Sequence, residues 1–412
     1  MSDKDTDSKP KFKDLNICME LRKTCRKLKY FHPTPIQLKS IPHALNGKDL
    51  ICASQTGSGK TLAFILPILQ KFIEEPHSYF ALILTPTREL ALQTAETIET
   101  VGKKAEVKAA SIIGGLSSSE QKAILKEKPH IIVGTPGRIV DFLDNTNLLK
   151  LEKIKFLVFD EADRLLSMDF ENDIKKIIEK CPESRSTYLF SATMTSGVKK
   201  LKNYCLKKDA VKIDLSNNET VETLTQKFAF LPFRFKDTYL VHIIEQFSKS
   251  SIIIFTATNL DAKRLEILLQ QLSYKAIALY GKLTQKKRIK ALNRFKNSKK
   301  NILIATDVAS RGIDIPEVEL IVNYDVPTKT KNYIHRVGRT ARAGLQGNAI
   351  TMVSQYDIQN FQRIEESLEI RMEEYLINHA EAMKHYDEIT LAESFVAKKI
   401  EDEKIDSEDS DE

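Results

Sequence analysis

Ten short apolar runs punctuate the chain, and each ends in a polar or glycine-containing turn. In the first half they are DLICASQTG, ALILTPT, HIIVGTPG, FLVFDEAD and TYLFSAT; in the second they are SIIIFTAT, KAIALYG, NILIATD, LIVNYD and AITMVS. Runs this continuous, without the alternation of a half-exposed strand, predict parallel strands buried on both faces. The segments between them carry a helical period. In LAFILPILQKF, Leu62, Ile65, Leu66 and Leu69 share one stripe, with Pro67 expected to kink the helix. ENDIKKIIEKC puts Ile174, Ile177, Ile178 and Cys181 on one face in the same way. Strand and helix signals in alternation predict an α/β fold.

The series pauses at DAVKIDLSNNETVETLT, residues 209–225, so two α/β domains are expected. They span 12–210 and 223–380, with a linker at 211–222 and a flexible N-terminus over 1–11; a charged helical extension and acidic tail follow at 381–412. Ligands of open α/β sheets bind outside the carboxyl ends of the strands, so the turns after the runs are where chemistry is expected.

A length of 412 residues excludes a single small module, and no apolar run reaches the roughly 18 residues that a membrane span needs. The opening MSDKDTDSKPKFKD has the character of neither a secretory signal nor a transit peptide. The formal charge of +7 understates the core, because the closing EDEKIDSEDSDE holds eight acids against one lysine and leaves +14 on residues 1–400. That surplus suits a polyanionic partner as well as plain solubility, and the acidic ending is expected to be a solvated tail. The five cysteines, at 18, 25, 52, 181 and 205, form no CxxC pair and no zinc spacing, so reduced thiols are expected.

SQTGSGKT, residues 54–61, lies between a strand and an amphipathic helix, the context of a phosphate-binding loop. The N–H groups around Gly57, Ser58 and Gly59 are placed to wrap phosphates, Lys60 to reach the outer ones and the Thr61 hydroxyl to hold Mg²⁺; Ser54 stands where the strict pattern has glycine. Such a loop needs a carboxylate from a neighbouring strand end. FDEADRLLSMDF, residues 159–170, supplies Asp160 for the metal and Glu161 as a general base, although acids in the first turn of a helix would also account for the cluster. In KYFHPTPIQ, the Gln37 amide is able both to donate to and to accept from an adenine edge, with Tyr30 available to stack; the same residue suits an ordinary helix start. NYIHRVGRTARAG spaces Arg336, Arg339 and Arg342 by three, which reads either as a basic helix face or as a source of arginine fingers for phosphoryl transfer.

These segments, together with Phe12, PTREL (86–90), Gly114-Gly115, TPGR (135–138), SAT (191–193), IIIFTAT (252–258) and ATDVASRGID (305–314), give the chain a family likeness. Over roughly residues 12–370 it resembles a DEAD-box RNA helicase of superfamily 2. The resemblance implies two tandem RecA-like domains, each a parallel sheet flanked by helices, with ATP and Mg²⁺ as cofactors. It implies an RNA-dependent ATPase that clamps RNA and opens short duplexes, or an ATP-gated clamp with little unwinding. By the same likeness Phe12, Tyr30 and Gln37 serve adenine, Thr56 joins the phosphate loop and Asp314 reaches the ribose, while Arg339 and Arg342 are the fingers. Asp163, Ser191, Thr193, His335 and Arg336 link hydrolysis to the second domain; Arg88, Gly115, Thr135, Arg138, Thr306 and Arg311 line an RNA groove. Further similarity in FSATMTSGVKKLKNYCL and VSQYDIQNFQRIE is to the subgroup acting in ribosomal RNA processing. This implies pre-ribosomal RNA and ribosome-assembly proteins as partners, a nuclear and nucleolar location, a monomeric core and no membrane. Three positions depart from the family pattern: Lys29 and Ala341 replace glycines, and Tyr280 replaces a histidine.

Overall fold

The structure, a computed structural model, describes residues 10–55, 57–166, 170–215, 224–297, 299, 301–307, 318–341 and 346–408. The chain divides into two compact units, one built chiefly on residues up to Asn218 and the other on residues from Glu219 onward. In each unit seven strands form a sheet whose neighbours are all parallel.

The first unit contains β1 (Leu50–Ala53), β2 (Ala81–Leu84), β3 (Ala109–Ile112), β4 (Ile131–Gly134), β5 (Phe156–Phe159), β6 (Ser186–Ser191) and β7 (Val211–Asp214). Their order across the sheet is β3-β4-β2-β5-β6-β1-β7. Alternate side chains of one strand enter different hydrophobic clusters: Leu50 and Cys52 join one, Ile51 the other, and Ile83 likewise parts from Leu82 and Leu84. Both faces of the sheet are therefore covered, which is why the inner strands are buried almost throughout and carry continuous apolar runs. The helix Lys60–Glu74 continues through Pro67 as a single element. Its packing against the sheet outweighs the one N–H bond that the proline forgoes, so the helix does not end there.

At the edges the pattern differs. β7 begins where the linker was expected, and its residues pair with β1 from Leu50↔Val211 to Ala53↔Asp214. Only Ile213 of this strand is buried, so its sequence looks like linker while its backbone completes the sheet.

The second unit contains β8 (Leu224–Phe230), β9 (Ile252–Thr256), β10 (Ala276–Leu279), β11 (Ile302–Thr306), β12 (Leu320–Asn323), β13 (Gly347–Val353) and β14 (Glu373–Glu374), in the order β10-β11-β9-β12-β13-β8-β14. The charged extension contains a helix, and that helix is docked on the second unit. In the helix Tyr386–Glu408, Ile389, Ala392 and Val396 form an apolar stripe packed into the core of this unit. His385 Nε2 lies 3.0 Å from Glu245 Oε2, and the Tyr239 hydroxyl lies 2.7 Å from His379 Nδ1.

All five cysteines are free, and burial pushes the Cys25 thiol up to about 11 and those of Cys181 and Cys205 up to about 12, so they pack as small hydrophobes. Among the described residues, no helix is long and apolar enough to cross a membrane.

Two of the three departures from the family pattern fall on left-handed backbone: Lys29 has φ 64° and Ala341 φ 55°. Lys29 follows the helix Met19–Lys27, where its N–H donates to Arg26 O at 3.1 Å and the Tyr30 N–H to Cys25 O at 2.9 Å. That pair of bonds closes a helix end of the kind that glycine favours, because a Cβ is strained there. Lys29 is exposed, so removing its side chain costs no core packing. Lys29→Gly is expected to stabilise the first unit by about 1 kcal/mol, read as a rise in the urea midpoint. An unchanged or lowered midpoint would show that the strain is absorbed elsewhere.

Candidate nucleotide site and nucleic-acid edge

The turn after β1 folds on its own polar groups. Ser54, in place of the usual glycine, puts its hydroxyl 2.7 Å from that of Ser58, which also donates to Gln55 O at 2.8 Å. Gly57 and Gly59 have φ of 83° and 88°, and a Cβ on Gly59 would lie 2.5 Å from Gln37 Nε2. Lys60 opens the next helix, is almost fully buried, and donates from its ammonium to the carbonyls of Ser54 at 2.5 Å and Gln55 at 2.7 Å. The first turn of this helix carries no acid, so its positive end faces the loop uncompensated and suits an anion. Gln37 takes the helix-start role and also reaches the phosphate loop. Its Oε1 accepts from the Thr34 N–H at 3.0 Å, and its Nε2 donates to Gly59 O at 2.9 Å, tying that helix to the phosphate loop.

Asp160 follows β5 directly, and its N–H continues the pairing with β2 by donating to Leu84 O at 3.0 Å. Its carboxylate is 3% exposed and accepts from the Glu161 N–H at 3.0 Å. Burial first, and then the charge of Glu161, push the Asp160 carboxyl up to about 7 against the opposing pull of Lys60. Glu161 itself has φ 50° and precedes the short helix Ala162–Leu165; Arg164 Nη1 donates to its Oε2 at 2.8 Å. Both members of that ion pair are largely buried. The third acid, Asp163, accepts from the Thr193 hydroxyl at 2.9 Å, while Ser191 donates from Oγ to Thr193 O at 2.8 Å. Asp160 and Glu161 thus lie outside the helix and each acid has a separate partner, which an acidic first turn would not require.

A second group of predicted residues lies along the same edge of the sheet. Arg88 starts the helix Arg88–Val101 after β2, and a Cβ on Gly114, after β3, would lie 2.9 Å from its Nη2. Gly115 is exposed with φ 77°. After β4, Thr135 caps the helix Pro136–Asn145; Arg138 pairs with Asp141 and sits 4.8 Å from the centre of the Phe142 ring.

In the second unit Thr306 ends β11 and is buried. Its neighbour Asp307 receives two bonds from Arg336, at 2.7 and 2.9 Å, and Arg336 Nη1 also donates to Asn323 Oδ1 at 3.2 Å and Asp325 O at 2.7 Å. Arg336 therefore braces the ends of β11 and β12 within one unit. The helix Thr330–Val337 ends before Arg339, so Arg336 and Arg339 do not share a helix face. Arg339 is buried and His335 half-buried.

The DEAD/DEAH box helicase model matches residues 34–201, and the helicase conserved C-terminal domain model matches residues 236–344. The ATP-dependent rRNA helicase RRP3 of Yarrowia lipolytica is 48% identical over 92% of this chain and 79% of its own length. The chain belongs to the DEAD/DEAH box helicase family. Probable ATP-dependent RNA helicase DDX47 of Homo sapiens is likewise 48% identical, over 93% of this helicase and 84% of that protein. The solved structure of S. cerevisiae Dbp5 bound to RNA and ADP BeF3 matches with a TM-score of 0.79 and 30% identity, covering 94% of the helicase and 99% of that chain. The two parallel sheets are thus those of tandem RecA-like domains.

Of the predicted site residues, the first unit brings Gln37, Gly57, Ser58, Gly59, Lys60 and Thr61 to the β1 turn and Asp160, Glu161, Asp163, Ser191 and Thr193 to the ends of β5 and β6. Phe12 is packed into the core, whereas Tyr30 is 44% exposed. Thr56, Arg311, Asp314 and Arg342 lie outside the described residues. Arg164 and Asp325 escaped notice in the sequence. The signal for the first was its three-residue spacing from Glu161 across a helix start; Asp325, which holds Lys236 at 2.7 Å, had no local signal.

The raised pKa of Asp160 makes a directional prediction for the helicase without nucleotide. Between the ordinary carboxylate range and about 7 the folded state holds a proton that the unfolded chain has lost, so stability falls as pH rises through that window. Asp160→Asn is expected to stabilise the first unit, with a gain that grows from pH 5 to pH 8 in urea titrations. A gain independent of pH would contradict the buried-carboxylate account.

Proposed function

We propose that this ATP-dependent RNA helicase couples hydrolysis at the β1, β5 and β6 turns to clamping of RNA and local opening of short duplexes, with ribosomal RNA as its substrate during ribosome assembly. The observation that carries the hydrolytic part is the convergence of Lys60, Asp160 and Glu161 at adjacent strand ends, with Asp163 bonded to Thr193 beside them. Lys60 binds the outer phosphates, and the remaining capacity of the Gln37 amide serves adenine. Glu161 accepts the proton of the attacking water; the resulting hydroxide bonds to the γ-phosphorus as the bond to the bridging oxygen breaks, and ADP leaves with that electron pair. Arg339 and Arg342 supply positive charge to the transition state.

The residues fit a hard divalent cation. Asp160 is a desolvated carboxylate whose ionisation is costly without added positive charge, and Thr61 offers a hydroxyl in the first turn of the loop helix. Those two side chains would hold Mg²⁺, which would supply neutralisation of phosphate charge.

For RNA, Arg88, Gly115, Thr135, Arg138, Thr306 and Arg311 offer guanidinium, hydroxyl and backbone groups suited to the sugar-phosphate chain. Binding on this reading is salt-dependent and nearly blind to sequence, so assembly proteins supply the choice of site. The similarity to RRP3 proteins, which are ATP-dependent rRNA helicases, supports ribosomal RNA as the substrate and, with it, a nucleolar location.

The test is the ATPase rate with ATP or GTP, each without nucleic acid, with RNA and with DNA. ATP with RNA is expected to be fastest; equal rates throughout would remove the coupling. Glu161→Gln is expected to lower kcat by about 10²- to 10⁴-fold while ATP-analogue and RNA binding persist. Lys60→Ala should lose nucleotide binding as well as turnover.

A further inference from the structure

The ion pair between Arg164 and Glu161 has no part in the roles assigned so far, yet it is among the most enclosed charge pairs in the first unit. The Arg164 and Glu161 side chains are 8% and 12% exposed. Their geometry is set by the backbone. Glu161 adopts φ 50° and ψ 50°, and its carbonyl accepts from the N–H groups of Arg164 at 2.8 Å and Leu165 at 3.1 Å, so the short helix begins with Arg164 folded back over the acid. On the other side, the Glu161 N–H is committed to Asp160 Oδ1 at 3.0 Å. The main chain of Glu161 is thus held at both ends, and the remaining freedom lies in its side-chain rotamers.

Arg164 removes that freedom. Its Nη1 fixes Oε2 at 2.8 Å, whereas Oε1 makes no hydrogen bond among the described residues. We propose that Arg164 is a positioning residue for hydrolysis: by occupying Oε2 it leaves Oε1 as the atom that takes the water proton, in a fixed orientation. The inference rests on the base role proposed for Glu161. A neutral or shorter partner would leave the carboxylate several rotamers, and misplacement of a reacting group by an ångström is enough to slow a reaction about 10²-fold. The guanidinium suits the task because its planar donors hold a carboxylate oxygen in direction as well as distance.

The test compares Arg164→Lys, Arg164→Gln and Arg164→Ala with the parent and with Glu161→Gln in RNA-stimulated ATPase assays, alongside affinity for a non-hydrolysable ATP analogue and thermal melting. Arg164→Gln and Arg164→Ala are expected to lose about 10- to 100-fold in kcat, with KM for ATP and analogue affinity changed by no more than about twofold. Arg164→Lys should retain more of the rate than Arg164→Gln, and guanidinium chloride below its denaturing range should restore part of the rate of Arg164→Ala. A folded Arg164→Gln enzyme with the parent kcat overturns the proposal. So does a loss that falls equally on analogue affinity and rate without distinguishing Lys from Gln, since that is the mark of a packing role. Where Arg164→Ala does not fold, the Lys and Gln variants decide by the same criteria. If Glu161→Gln turns over like the parent, the base role and this proposal fall together; if it is inactive while the Arg164 variants keep the parent rate, only this proposal falls.

Discussion

The constraint on which the rest depends is that a parallel sheet covered on both faces sends every strand the same way, so that all its forward turns open on one edge. In the first unit the order β3-β4-β2-β5-β6-β1-β7 divides that edge into two neighbourhoods. The phosphate loop, the three acids and the Ser191–Thr193 segment follow β1, β5 and β6, which are adjacent. Arg88, Gly115, Thr135 and Arg138 follow β2, β3 and β4, which form the other side. The boundary is the β2–β5 pair, where Asp160 borrows the Leu84 carbonyl to extend the ladder by one bond.

Desolvation then gives the β1, β5 and β6 end its character. Asp160 is buried beside Glu161 and Lys60, so its ionisation depends on the charges around it. Each other acid has a designated donor: Arg164 for Glu161 and Thr193 for Asp163. Buried like charges persist only with such partners, because an unpaired buried carboxylate is far costlier than a surface one. The second unit applies the same rule differently, with Arg336 spending its donors on Asp307, Asn323 and Asp325 to lock the ends of two strands.

Fully buried strands and the phosphate loop were legible from the sequence because their physics is local: unbroken burial gives unbroken apolar runs, even at the β10 edge, and glycine is required where the chain turns left-handed. Strands of mixed burial were not. β3 alternates, β7 and β8 each bury one residue and β14 none, so hydrophobic pattern carries little sign of them. A charged helix was expected at the carboxyl end, but the docking of Tyr386–Glu408 was hidden by its charge, since a narrow stripe that includes Ile389, Ala392 and Val396 meets the core. Long-range partners were equally silent: nothing near Arg336 in sequence announces Asp307 or Asn323. Local geometry at Lys29 and Ala341 was foreshadowed, because both stand where the family pattern has glycine and both adopt the backbone that glycine permits.

The proposed division of one sheet edge into a nucleotide half and an RNA half is tested most directly by measuring nucleotide-analogue affinity and RNA affinity separately on Arg88→Ala. With RNA absent, the account predicts parent-like nucleotide affinity; with nucleotide present, it predicts weaker RNA binding and a shallower salt dependence. Loss of nucleotide affinity in the absence of RNA, with RNA binding intact, would contradict it.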